Sequence, residues 1–365
     1  MKNKIAALIF LMLCCHAYSQ ERWVVQTSTI KNNLNSVFFL DTNVGYAVGD
    51  SGTILKTFDG GTTWDPSSSR TSGMVFFSVF SINNAPTLAV GRGSIGATGS
   101  VNAVYKSIGF GSGFTDSPVP NNTATLGGAL YSIYCTTVTV CYSVGYHIII
   151  KTTDGGSSWS RQTNSAISSH SLYSIYCTGS NTCYAGGSGI ILKTTNGGTD
   201  WITQYSGNAG LRSIFFTDSL MGYAAGDSAV LLKTSNGGAT WTSISLSPIN
   251  QNLTSVYFVN ASTGYLVGNG GVIYKSNNAG ASWVSQASGT TAKLNSASFP
   301  NASIGYAVGD GGVVLKHLPN GGTPIISPPS SPLKGLDFKR VRANGVRQKS
   351  DSKNSHLLRD ILKTP

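Results

Sequence analysis

The stretch Gly45-Tyr46-Ala47-Val48-Gly49-Asp50-Ser51-Gly52-Thr53-Ile54-Leu55-Lys56-Thr57-Phe58-Asp59-Gly60-Gly61-Thr62-Thr63-Trp64 recurs, with drift, seven times along the chain. Aligned on the glycine after the short apolar run, the copies fall at Gly49, Gly91, Gly145, Gly187, Gly226, Gly268 and Gly309, at intervals of 42, 54, 42, 39, 42 and 41 residues. One such unit cannot bury its apolar face alone, so neighbouring units must stack, and 365 residues read as one repeat domain rather than two average ones. A period near 42 points to four-stranded propeller blades.

Each unit opens on a run such as Leu34-Asn35-Ser36-Val37-Phe38-Phe39 or Leu211-Arg212-Ser213-Ile214-Phe215-Phe216, which suits a buried inner strand. A Gly-Tyr-Ala-Val strand follows, then a Gly/Asp/Asn turn and a third strand ending in Lys56, Lys106, Lys151, Lys193, Lys233, Lys275 or Lys316. Asp-Gly-Gly or Asn-Gly-Gly then makes a hairpin turn before a fourth strand headed by an aromatic residue. Helical periodicity is absent. The aromatic series is Trp64, Phe114, Trp159, Trp201, Trp241 and Trp283, and the seventh unit has none. Trp23-Val24-Val25-Gln26 matches Trp283-Val284-Ser285-Gln286, so the N-terminal strand is expected to complete the last blade and close a seven-bladed ring of four-stranded antiparallel blades. A residue present in every blade does what every blade needs, so the lysine and tryptophan series read as packing between sheets.

Met1-Lys2-Asn3-Lys4, the apolar run Ile5 to Cys15 and small residues before Gln20 read as a cleaved signal peptide over 1–19. The propeller is expected over 20–323, and a Pro-rich linker with a disordered basic tail over 324–365. The net charge of +11 is concentrated at the ends: the tail alone carries nine Lys/Arg against three Asp. The sequence therefore predicts a secreted, periplasmic or cell-surface monomer with no nucleic-acid partner, no membrane span and no cofactor. Cys135/Cys141 and Cys177/Cys183 stand six apart at matching hairpins, and in an exported chain they are expected as two disulfides rather than a metal site.

Lys-Thr-x-Asp/Asn-Gly-Gly-x-x-Trp after Gly-Tyr-Ala-Val-Gly-Asp resembles the repeat of the photosystem II assembly and stability factor family, and the wider Asp-box (BNR) repeats shared with sialidases. The resemblance covers roughly 22–322 and implies a seven-bladed scaffold that binds other proteins during assembly; nothing in the chain indicates photosynthesis.

The Asp-box likeness raises carbohydrate cleavage, which needs a pair of carboxylates. Glu21 is the one glutamate, and most Asp residues sit at repeated turns. Gly91-Arg92-Gly93-Ser94-Ile95-Gly96 matches a dinucleotide fingerprint, but a strand rather than a helix follows it. The expected function is a non-enzymatic protein-interaction scaffold, with a carbohydrate-binding or glycoside-hydrolase-like propeller as alternative. Its partner is a protein of unknown identity, the alternative ligand a cell-surface polysaccharide. Insertions at 92–103 and 115–128 are expected to form one raised lip. Arg92, Tyr146 and His147 beside it, with Asp50, Asp227, Asn269 and Asp310 at the equivalent turns, are the candidate binding residues.

Overall fold

The computed structural model describes residues 21–26, 28–66, 73–82, 86–95, 99–108, 112–119 and 128–319. The expected signal segment, 1–19, and the 324–365 stretch expected as a tail lie outside them. The fold is an all-β propeller of antiparallel blades. Repeat one is typical: Leu34–Phe39, Gly45–Gly49, Ile54–Thr57 and Asp65–Pro66 form a four-stranded sheet in chain order. The last repeat differs, because Arg22–Gln26 pairs with Val314–Leu318, from Arg22↔Leu318 to Gln26↔Val314.

Hydrogen bonding gathers the described strands into six sheets, not the seven expected. Five have four strands; the sixth has six strands and holds repeats four and five. The Asp50–Gly52 and Asp227–Ala229 turns are 3-10 turns that interrupt their strands. At Gly187-Ser188-Gly189 no such turn forms, and Cys183–Thr194 is a single element. Ile202–Phe216 is likewise continuous and pairs on one edge with Cys183–Thr194 and on the other with Gly222–Gly226, which fuses the two repeats. One short helix, Ser165–Ser169, also departs from the purely extended reading.

The cores lie between repeats. Leu34, Val37, Phe39 and Trp64 pack with Tyr306, Val308 and Val314 of the last repeat, and each of the other clusters likewise joins two successive repeats. Two residues after the Leu or Phe that opens each inner run (Leu34, Phe76, Leu130, Leu172, Leu211, Leu253, Leu294) stands a Ser, and each Ser Oγ accepts a backbone N–H from the next inner strand. The bonds run Val79 to Ser36, Ile133 to Ser78, Ile175 to Ser132, Ile214 to Ser174, Val256 to Ser213 and Ala297 to Ser255, and Val37 to Ser296 returns the cycle to its start.

The repeated lysines act at the same seams. Lys316 Nζ and Tyr306 Oη donate to the carbonyl of Gly60 at 2.7 and 2.8 Å, and Lys193 with Tyr184 does the same at Gly237. Burial lowers the Lys316 pKa and raises that of Tyr306. The turn acids are spent inside their own turns: Asp59 Oδ1 accepts from Thr57 Oγ1 and the Thr63 N–H, which lowers its pKa.

The disulfides Cys135–Cys141 and Cys177–Cys183 form as expected. Their positions carry a packing logic. In repeats one, five and six the same cross-strand pair is Phe39↔Gly45, Phe216↔Gly222 and Phe258↔Gly264. The Phe ring lies over the glycine, so a Cβ there would approach it to 2.5–2.6 Å. In repeats three and four, where the Phe is absent, a Cys–Cys bond fills the place, and in repeat two a buried hydrogen bond from Thr87 Oγ1 to Ser81 Oγ does. Of the aromatic series, Trp23, Trp64, Phe114, Trp159 and Trp201 are buried, whereas Trp241 and Trp283 are half-buried.

Candidate functional site

The glycine that ends each second strand decides where the site lies. A Cβ on Gly49 would stand 1.9 Å from the Asn33 carbonyl, and on Gly226 2.0 Å from that of Gly210. Only glycine allows this approach, and the ladder slips there: register shifts between Leu34 and Ser36, and likewise at the start of every inner strand. The residue between that opening Leu or Phe and the Ser is thus a bulge residue with its side chain re-aimed. All seven of these residues, Asn35, Phe77, Tyr131, Tyr173, Arg212, Thr254 and Asn295, line one cavity of about 570 Å³. Asp227, Asn252, Asn269 and Lys293 complete its wall. We call it the mouth.

Its wall has two unlike halves. Phe77, Tyr131 and Tyr173 form an arc with ring centroids 5.3 and 5.6 Å apart. Arg92 caps one end, its guanidinium 5.9 Å from the Phe77 ring, and Arg212 caps the other at 4.3 Å from Tyr173. Arg212 is fixed by a bidentate pair to Asp227, Nε at 3.0 Å and Nη2 at 2.8 Å, which raises its pKa. Burial first, then the neighbouring Tyr173, raises the Tyr131 pKa. Across the mouth the wall is amide-rich. Asn35 Nδ2 donates to Asp50 Oδ1 and to the Phe76 carbonyl; Asn295 Nδ2 donates to Asp310 Oδ1 and to the Leu34 carbonyl.

Most of the sequence-chosen residues stand around this mouth. Asp227 and Asn269 line it, while Asp50, Asp310 and Arg92 each touch the bulge residue of their own repeat. Tyr146 is exposed and influences Tyr131 electrostatically. His147 does not share this place. Tyr146 is the residue after the repeat glycine, and His147, at φ 56°, stacks on it at 4.1 Å and lines a second cavity of about 470 Å³ with Arg161 and 162–165. The 92–103 insertion prolongs a hairpin, Leu88–Ile95 against Gly99–Ile108, paired out to Ile95↔Gly99; 96–98 and most of 115–128 lie outside the described residues. Sequence reasoning missed the bulge residues themselves. Their signal was variation: flanked by Leu or Phe and by Ser in every repeat, the second residue runs Asn, Phe, Tyr, Tyr, Arg, Thr, Asn.

Residues 15–97 and 203–290, together just under half of the chain, match the family model described as photosynthesis system II assembly factor YCF48. Among solved structures, "YCF48 bound to D1 peptide" is 18% identical with a TM-score of 0.67, covering 82% of this chain and 97% of that one. YCF48 from Cyanidioschyzon merolae is 20% identical with a TM-score of 0.66, covering 81% and 99%. The fold is a YCF48-like β-propeller. A GH74 xyloglucanase from Xanthomonas campestris is more distant, 12% identical with a TM-score of 0.64 over 81% of this chain and 53% of that one. No curated protein matches the chain. Among the described residues no helix is long and apolar enough to cross a membrane, and no group of three or more His, Cys, Asp or Glu could hold a metal ion. Two disulfides point to an oxidising, extracytoplasmic setting.

Proposed function

We propose that this protein is an exported, non-enzymatic interaction scaffold whose protein partner docks at the mouth. One observation carries the reading. On a frame held by the repeated glycines and serines, the bulge residues change from repeat to repeat, and three successive ones present aromatic surface capped by guanidinium groups. Aromatic residues and arginine are the side chains that dominate binding energy at protein interfaces. The solved YCF48 described as bound to D1 peptide supports a peptide segment as the form the partner takes.

In the same reading the six-stranded sheet counts as two blades, giving seven over 20–323. Arg22–Gln26 then closes the ring, leaving 324–365 as a basic tail behind a cleaved 1–19 signal. The cycle of serine-mediated bonds through all seven inner strands supports that count.

Carbohydrate cleavage is the weaker reading. Hydrolysis asks for two carboxylates across the scissile bond. Among the described residues the mouth wall carries one, Asp227, and Arg212 holds it.

The test is affinity capture from envelope extract with the intact chain and with a Tyr131→Ala/Tyr173→Ala variant. A protein captured by the first and lost by the second supports the reading. Capture unaffected by the change moves the partner off the mouth, and a sugar polymer as sole ligand overturns the scaffold.

A further inference from the structure

The kind of segment the mouth accepts follows from its wall chemistry, and the inference rests on the docking role just proposed. On the aromatic half the polar groups are the guanidinium groups of Arg92 and Arg212, which only donate, and the hydroxyls of Tyr131 and Tyr173, which can donate as well as accept. Among the described residues neither tyrosine hydroxyl has a hydrogen-bond partner, and both side chains are half-buried. Across the mouth the Asn35 and Asn295 amides already donate to Asp50, Asp310 and two backbone carbonyls. Charge selects nothing. Arg212 and Lys293 of the wall stand against Asp227, and beside the wall Arg92 stands against Asp50 and Asp310, three of each sign over wall and rim, and the pair in direct contact, Arg212–Asp227, is internal.

A neutral aromatic arc edged by donors fits a ligand with apolar faces, many acceptors and few donors. A sugar brings as many donors as acceptors, and a charged peptide meets a like charge on one side or the other. A proline-rich segment has the required features: proline lacks the N–H, its carbonyls are all free in the extended left-handed helix, and its fixed φ lowers the entropy cost of ordering.

We propose that the mouth binds a proline-rich segment of a partner protein, with pyrrolidine rings against Phe77, Tyr131 and Tyr173 and its carbonyls accepting from the tyrosine hydroxyls and Arg92. The segment lies across the arc, and its affinity comes from ring contact rather than charge.

The experiment titrates a labelled, acetylated and amidated oligoproline against the full chain by fluorescence anisotropy, at low and high salt. Comparators are an acidic peptide, a Gly/Ser peptide of equal length and a xyloglucan oligosaccharide. The expected result is saturable binding of the oligoproline alone, little changed by salt, since no net charge drives it. Tyr131→Ala and Tyr173→Ala each weaken it by about tenfold, a typical loss for a packed aromatic contact. Tyr173→Phe keeps the ring and loses only the hydroxyl contribution, about threefold. Thermal midpoints of all three variants show whether the fold is intact, and Tyr173→Phe, the mildest change, keeps the test alive if an alanine variant unfolds. Failure of the oligoproline to bind, while a captured protein partner remains sensitive to the same variants, overturns the proline-rich ligand and leaves the docking mouth standing. Tighter binding of the acidic peptide or of the oligosaccharide overturns it as well. If neither oligoproline nor any captured protein responds to the variants, both readings fall together.

Discussion

Replacing the Cys177–Cys183 disulfide by the pair found at the same place in other repeats tests whether the bridge is there to fill space. The preceding repeat presents Tyr142 to this position, as Tyr184 is presented to Phe216, whose rings stack at 4.0 Å. A Cys177→Phe/Cys183→Gly variant therefore has a ring waiting for it. Closing so short a loop stabilises by on the order of 2 kcal/mol, and this is lost in Cys177→Ala/Cys183→Ala. Burying a Phe side chain returns about 1.5–3 kcal/mol, less roughly 1 kcal/mol for glycine in a strand. The Phe/Gly variant should thus melt close to the oxidised native protein, and the Ala/Ala variant clearly below it. Cys177→Phe alone is the control. With Cys183 kept, its Cβ stands where a Cβ on Gly222 would be 2.5 Å from the Phe216 ring, an overpacking cost of about 1–3 kcal/mol on top of the lost bridge. The expected order of thermal midpoints is native and Phe/Gly together, then Ala/Ala, then Cys177→Phe. Added reductant should lower the native midpoint while leaving in the Phe/Gly variant only the share due to Cys135–Cys141. A Phe/Gly variant no more stable than Ala/Ala would refute the equivalence of the two pairs.

Three further perturbations address the frame. Ser174→Ala removes the acceptor for the Ile214 N–H at 3.0 Å and leaves a buried donor unpaired; equilibrium unfolding should show a loss of about 1–3 kcal/mol. Gly226→Ala forces a Cβ to within 2.0 Å of the Gly210 carbonyl, so the expressed protein should be insoluble or lose its near-ultraviolet circular dichroism, and a soluble, native-like variant would contradict the close approach. His317 is buried, with Nδ1 3.1 Å from the Ser303 carbonyl, and burial holds its pKa below the ordinary imidazole value. The unfolded chain then binds the extra proton first, so this contribution is complete above about pH 6.5 and is lost as pH falls below it toward the depressed folded value. His317→Gln should flatten the fall in thermal midpoint between neutral and mildly acid pH, and an unchanged slope would assign that fall to other groups.

How much of this was legible in the sequence depends on which residues the fold leaves free. The blade pattern was readable because it repeats for local physical reasons: a glycine under a neighbouring carbonyl, a serine whose hydroxyl serves the next inner strand, a lysine reaching the next turn. The first two recur in every unit and the third in most, so the pattern survives drift. The fusion of repeats four and five was not readable, because it depends on a turn that fails to form at Gly187-Ser188-Gly189 and on the continuous strand Ile202–Phe216. The turn residues were singled out for their variation, with one displacement, since Gly145 puts Tyr146 rather than His147 in register. The bulge residues escaped because period-two alternation gives the residue between Leu34 and Ser36 no reason to turn toward the mouth. Only the slip in register, forced by the glycine fifteen residues or so farther on, turns it there. In such a fold the residues that make the repeat conspicuous are those that hold every seam in the same way, and the side chains that line the mouth are hidden because they differ from one repeat to the next.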